Sequence, residues 1–104
     1  MATRDINTVI LSGTAFSAPT MISLKNNVKL CIFTLRTVEK FVRGSGETAQ
    51  HDNFLVVETL GKTAERCMQD VKTGGRYFIN GYLRVDDLHG VERVRIRAVR
   101  IEEE

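Results

Sequence analysis

The sequence predicts an all-β domain, a five-stranded, partly open barrel with a single helix inserted between its third and fourth strands. Three observations carry that prediction. The 104 residues contain one convincing helical periodicity, Ala64, Cys67, Met68 and Val71 at i, i+3, i+4 and i+7, with strand-like apolar patterns on both sides of it. Gly13 interrupts the first of those patterns, where the missing side chain lets a strand bend or bulge. A content of 42% hydrophobic residues, 27% charged residues and one proline suits a single core that closes without disulfides or a structural metal.

Asn7 to Gly13 carries Val9, Ile10 and Leu11 and reads as the first strand. The stretch from Pro19 to Leu24 continues it beyond the bend, and Lys25-Asn26-Asn27 is a turn. Val28 to Phe41 begins apolar on both faces, with Val28, Leu30 and Ile32 on one and Cys31, Phe33 and Leu35 on the other, as in a long central strand covered on both sides. The polar loop Arg43 to Glu47 leads into a third strand, Asn53 to Leu60, and the two strands form a long hairpin. Lys62 to Lys72 is the amphipathic helix, stopped by Gly74-Gly75. Arg76 to Arg84 is a strand with Tyr77, Ile79 and Leu83 alternating against Phe78 and Tyr82. Asp86 to Gly90 is a turn, and Val91 to Ile101 is the last strand.

Three strands, a helix and two strands, with a kink in the first, is the order of the OB-fold, a Greek-key barrel. A helix packed on an open antiparallel sheet shares the same order. No repeat or linker divides the chain, so residues 1–104 form one domain with a short acidic end, Glu102 to Glu104.

Charge and hydropathy exclude several functions. No apolar run approaches the ~18 residues of a membrane helix, and the amino terminus, with Arg4 and Asp5, lacks the apolar stretch of an export signal. No membrane partner is expected, and the cytoplasm is the expected compartment. Cys31 and Cys67 fall inside apolar periodic segments, as small buried hydrophobes of a protein from a reducing compartment. The formal charge is +2, but without the last three glutamates 15 basic residues face 10 acidic ones. Such a body attracts polyanions modestly.

Enzymatic motifs are incomplete. Gly61-Lys62-Thr63 follows a strand and opens a helix, as the end of a phosphate-binding loop does, but Val56 stands where that loop needs its first glycine. Cys31, Cys67, His51 and His89 lack the close paired spacing of a zinc site. Neither cysteine lies in a glycine-rich or electropositive turn that would expose a thiolate. No catalytic constellation, metal or cofactor is expected.

The last strand places Arg93, Arg95 and Arg97 on one face and Val94, Ile96 and Ala98 on the other, toward the core. A solvated edge is the plainer account of any one arginine. Three together, joined by Arg84, make a basic stripe able to follow a phosphate backbone. Phe41, ending the second strand, and Phe54, opening the third, are brought near the loop end of the hairpin. Phe54 shares a face with Val56, Glu58 and Leu60, opposite the core-like Leu55 and Val57. The two phenylalanines are either ordinary core residues or an outer platform on which bases stack.

Asn7 to Gly13, Phe33-Thr-Leu35, Phe54 to Glu65 and Lys72 to Arg84 resemble bacterial single-stranded DNA-binding proteins, in order, over about Asn7 to Ile101. The fairly specific block is Gly61-Lys62-x-Ala64-Glu65, followed by a helix and Gly81-Tyr-Leu-Arg84. Leu11-Ser-Gly-Thr14 with Ala18-Pro19 is similar to the primosomal replication protein PriB, a relative with the same fold. The resemblance implies a non-enzymatic protein that binds single-stranded DNA, tolerant of sequence, as a homodimer or homotetramer, in replication, recombination or repair. It also implies that Phe41 and Phe54 occupy stacking positions, that Leu60 replaces another apolar or aromatic contact, and that Lys62 and Arg84 occupy basic ones.

Two departures qualify the resemblance. The family's further aromatic between the last two strands is missing from Asp86-Asp-Leu-His-Gly90. The acidic tip through which longer members recruit partners is not found in a chain stopping at Glu104. A PriB-like primosome component that also binds a helicase, and a protein-interaction OB module with weak DNA affinity, are the alternatives.

Overall fold

Two asparagines, one misplaced-looking glycine and a proline decide where the first third of the chain turns. The structure, a computed structural model, describes the backbone of residues 5–88 and 91–104 and the side chains of residues 5–85 and 93–104. Its strands are β1 (Val9–Ala15), β2 (Thr20–Ser23), β3 (Lys29–Val42), β4 (Thr48–Leu60), β5 (Arg76–Leu88) and β6 (Val91–Glu103), with helix α1 (Gly61–Asp70) between β4 and β5. Five of them form a closed ring in the order β1-β5-β6-β4-β3, completed where Thr14 and Ala15 pair with Arg36 and Leu35. Among the described residues, only β4 and β6 pair in parallel.

The expected barrel is therefore present, with the stretch after the bend standing outside the ring as β2 on the edge of β3. Pro19 helps make that break, since it has no N–H for a ladder. Between β2 and β3 the turn holds Asn26 and Asn27 at φ 65° and 61°, in the left-handed region that asparagine tolerates better than most residues.

Gly13 lies where β1 passes from β5 onto β3. A Cβ there would run into the carbonyl oxygen of Arg36 and lie 3.1 Å from Leu35 Cγ. Gly81 has a similar role on the neighbouring strand: a side chain would collide with the Arg97 carbonyl at a bulge between β5 and β6. Beyond that bulge the inward residue of β6 changes from Ala98 to Ile101, which pairs with the buried Ile79.

The core gathers Cys31, Phe33 and Leu35 from β3, Val57 from β4, Tyr77 and Ile79 from β5, Ile96 and Ala98 from β6, and Ala64, Cys67 and Val71 from the helical segment. Met68 does not join them and is exposed. The helix also ends earlier than expected. It stops at Asp70 rather than at the glycine pair, and Val71 turns extended while its N–H bonds the Cys67 carbonyl. The Tyr77 hydroxyl donates to the Asp70 carbonyl at 3.0 Å and accepts the Lys72 N–H at 2.8 Å, which fixes the exit of the chain. Gly74 and Gly75 form the following turn, bonded to both backbone groups of Ala15.

Two arms reach beyond the ring. β3 and β4 continue pairing out to Val42 and Thr48, and β5 and β6 pair out to Leu88 and Val91. The arm accounts for one correction: Val94 does not fill the core with Ile96 and Ala98 but is 61% exposed. Of the turn expected over Asp86 to Gly90, Asp86 to Leu88 belong to β5, and His89 and Gly90 lie outside the described residues. Arg4 lies outside them as well.

Candidate nucleic-acid interface

Register decides which side chains share the outer face, because directly paired residues project to the same side of a sheet. Phe54 is paired with Arg36 and Val56 with Thr34. Glu58 lies beside Arg97, which in turn faces Tyr82, and Arg95 faces Arg84. The barrel thus carries a continuous outer surface from Arg36 and Phe54 on the hairpin to the arginines of β6.

Phe54 is 52% exposed, so it is an outer residue rather than a core one. Its aromatic neighbour is not Phe41. Phe16, just past β1 and 56% exposed, places its ring centroid 4.9 Å from that of Phe54, with the ring planes 70° apart. The Phe16 N–H donates to the Thr34 carbonyl at 2.8 Å, and the Thr34 N–H donates to the Ser17 hydroxyl. These bonds hold the irregular segment against β3. Phe41 pairs with Ala49 near the loop, five rungs from the Arg36–Phe54 rung and on the opposite face of the hairpin. At ~3.4 Å per residue that is about 17 Å, so the hairpin does not bring the two phenylalanines together. Phe16 was missed because its segment has no strand periodicity.

The arginines alternate as expected, but they are not equivalent. Glu58 is 1% exposed and accepts hydrogen bonds from Arg97 Nη2 at 2.7 Å, Arg97 Nε at 3.0 Å and Arg95 Nη1 at 3.2 Å. Burying a carboxylate is costly without such partners. Glu58 therefore offsets part of the stripe's charge and orients what remains. Arg84, level with Arg95, and Arg93, farther out on the arm, are exposed. The signal for Glu58 was present in the sequence, as one acidic residue inside Val56-Val57-Glu58-Thr59-Leu60.

Leu60 is half-buried at the end of β4, paired with the buried Leu30, and Lys62 is exposed in the first turn of α1. A groove of about 810 Å³ lies elsewhere, between α1 and the end of β6, lined by residues of both charges including Arg66, Asp70, Lys72 and Glu102. It contains none of the expected site residues.

Among the described residues no group of histidine, cysteine, aspartate or glutamate side chains is arranged to hold a metal ion. Cys31 and Cys67 are buried free thiols with their sulfurs 3.5 Å apart. Burial pushes the Cys67 thiol up to about 12, helped by its contact with Cys31, and pushes Cys31 up too. Neither supplies a thiolate at neutral pH. No helix of the described residues is long and apolar enough to cross a membrane.

A ring of five strands with one helix, bearing exposed aromatics and arginines on its outer face, defines an OB-type barrel. The model of the single-strand binding protein family matches residues 6–103. The fold is shared with a deletion mutant of the single-stranded DNA binding protein from Thermus aquaticus, at 23% identity and a TM-score of 0.86. That match covers 95% of this chain and 50% of the other, so this chain spans half the length of that protein. The SSB of Plasmodium falciparum, in complex with single-stranded DNA, gives 18% identity and a TM-score of 0.85 over 94% of this chain and 90% of that one. A small single-stranded DNA-binding protein from Streptomyces coelicolor gives 18% and 0.77 over 99% and 96%. This chain belongs to the single-strand binding protein family.

Proposed function

We propose that the chain binds single-stranded DNA without reading its sequence, and that it does so as a symmetric assembly of identical subunits without chemistry of its own. The observation that carries this reading is Phe54, exposed on the outer face of an OB barrel beside Arg36 and in line with the arginines of β6. Any base can stack on an aromatic face, and only a single strand offers its bases, so such a platform selects for strandedness rather than sequence. Arg93, Arg95, Arg97, Arg84 and Lys62 supply phosphate contacts, Leu60 adds an apolar contact on the face of Phe54, and Phe41 adds one on the opposite face of the hairpin. The protein acts in the cytoplasm, in replication, recombination or repair.

Assembly has its own support. Among the described residues, the edge of β1 away from β5 is unpaired from Val9 to Gly13. Ile10 and Phe78 lie exposed on one face of the β1–β5 ladder. Open edges and apolar faces of this kind are usually covered.

Titration of labelled oligo(dT), with duplex DNA as competitor, at two salt concentrations tests the reading. Tight binding that weakens with salt and resists duplex competition is expected. Absence of binding would leave a protein-interaction module.

A further inference from the structure

We propose that Phe16, Phe54 and Arg36 form a single subsite for one nucleotide of single-stranded DNA, in which Phe16 is a contact residue in its own right. The inference rests on the reading above and goes beyond it by assigning Phe16 and Arg36. Two rings 4.9 Å apart and inclined at 70° make two walls of a notch, and both are more than half exposed. A planar base laid on one ring turns its edge toward the face of the other, which is the edge-to-face arrangement aromatic groups favour. One wall comes from β4, and the other from the segment that follows β1, so the notch exists only because the chain breaks at Phe16 and is bonded back to Thr34.

Arg36 completes the site. It is the direct cross-strand partner of Phe54, and its Nε is buried with no hydrogen-bond partner among the described residues. That nitrogen offers no surface to a ligand, so the proposed phosphate contact falls to the rest of the partly exposed Arg36 guanidinium, for which a phosphate oxygen is a strong acceptor. The backbone here is also fixed, since Gly13 lets β1 pass directly against the Arg36 carbonyl.

The experiment compares wild type, Phe16→Ala, Phe16→Trp and Arg36→Gln, each checked by thermal melting, against oligo(dT) and an abasic sugar-phosphate chain of equal length. The chain has no tryptophan, so Phe16→Trp introduces a single indole reporter that retains the ring should Phe16→Ala fail to fold. The expected results are a loss of about 5- to 140-fold in oligo(dT) affinity for Phe16→Ala, little change toward the abasic chain, and quenching of Phe16→Trp by oligo(dT) but not by the abasic chain. Arg36→Gln is expected to weaken both ligands. If wild type binds oligo(dT) but Phe16→Ala binds it equally well, or the indole is not quenched, the subsite is overturned while DNA binding stands. If wild type binds neither ligand, the broader reading falls first.

Discussion

Arg97 is bound to Glu58 through two of its guanidinium nitrogens, at 2.7 and 3.0 Å from one carboxylate oxygen. The pair joins the parallel strands β4 and β6 at one of the two rungs where they meet. With Arg95 on the second oxygen, the carboxylate carries two arginines, and its removal affects both folding and surface charge.

Glu58→Gln should lower stability by about 3 kcal/mol, near the low end for breaking a buried ion pair, because two guanidinium groups are left side by side. Denaturant melts of Glu58→Gln, Arg97→Gln and the double variant measure the coupling. The double variant should be less destabilised than the two single losses added. Strict additivity would mean that the ion pair contributes nothing.

Arg93 and Arg97 should separate charge from structure. Arg93 is exposed on the arm, so Arg93→Gln should leave the melting temperature unchanged and flatten the log–log salt dependence of oligo(dT) binding by about 0.7 for one lost phosphate contact. Arg97→Gln should reduce the melting temperature. An unchanged slope in Arg93→Gln would make that residue a solvated side chain only.

The ring of strands was legible because its signals are local. Alternation in Phe33 to Leu35 and Val57 to Thr59, and the i, i+3, i+7 spacing of Ala64, Cys67 and Val71, are set by burial of one face. Gly13 announced the bend. What was not legible depends on long-range pairing. The bulge at Gly81 exists because Arg97 approaches from β6, and Phe16 meets Phe54 only after the barrel closes. Phe41 and Phe54 fall on opposite faces because the hairpin register pairs Arg36 with Phe54, and no periodicity within either strand fixes that register. Glu58 takes its partners from Arg95 and Arg97 of β6, a pairing that no local pattern in β4 encodes.

The thiols give a pH dependence. Cys67 is raised from its ordinary value of 9.0 to about 12, mainly by burial. The folded state therefore retains a proton that the unfolded chain releases above pH 9.0. This contribution to stability is complete below pH 9.0 and is lost as pH rises toward 12. Cys67→Ala should show a shallower alkaline fall than wild type in melts across that range. Folded wild type at pH 8 should resist a disulfide-exchange reagent until denaturant is added, and rapid labelling of the folded protein would contradict the buried, protonated thiol.

The unpaired β1 edge and the exposed Ile10 and Phe78 should be covered by other copies of the chain. Solution scattering at micromolar concentration is expected to give a dimer or tetramer mass, and Ile10→Asp should shift it toward the monomer. A monomer mass for wild type would contradict the assembly.

The most direct measurement is the paired melting and oligo(dT) titration of Phe54→Ala. With the ring half exposed on the outer face, the account predicts a melting temperature close to that of wild type. It predicts a loss of roughly 1–3 kcal/mol in single-strand affinity, the usual worth of one stacked base. A large loss of stability, toward the ~3–5 kcal/mol of a truncated core phenylalanine, with affinity preserved in the folded fraction, would contradict it.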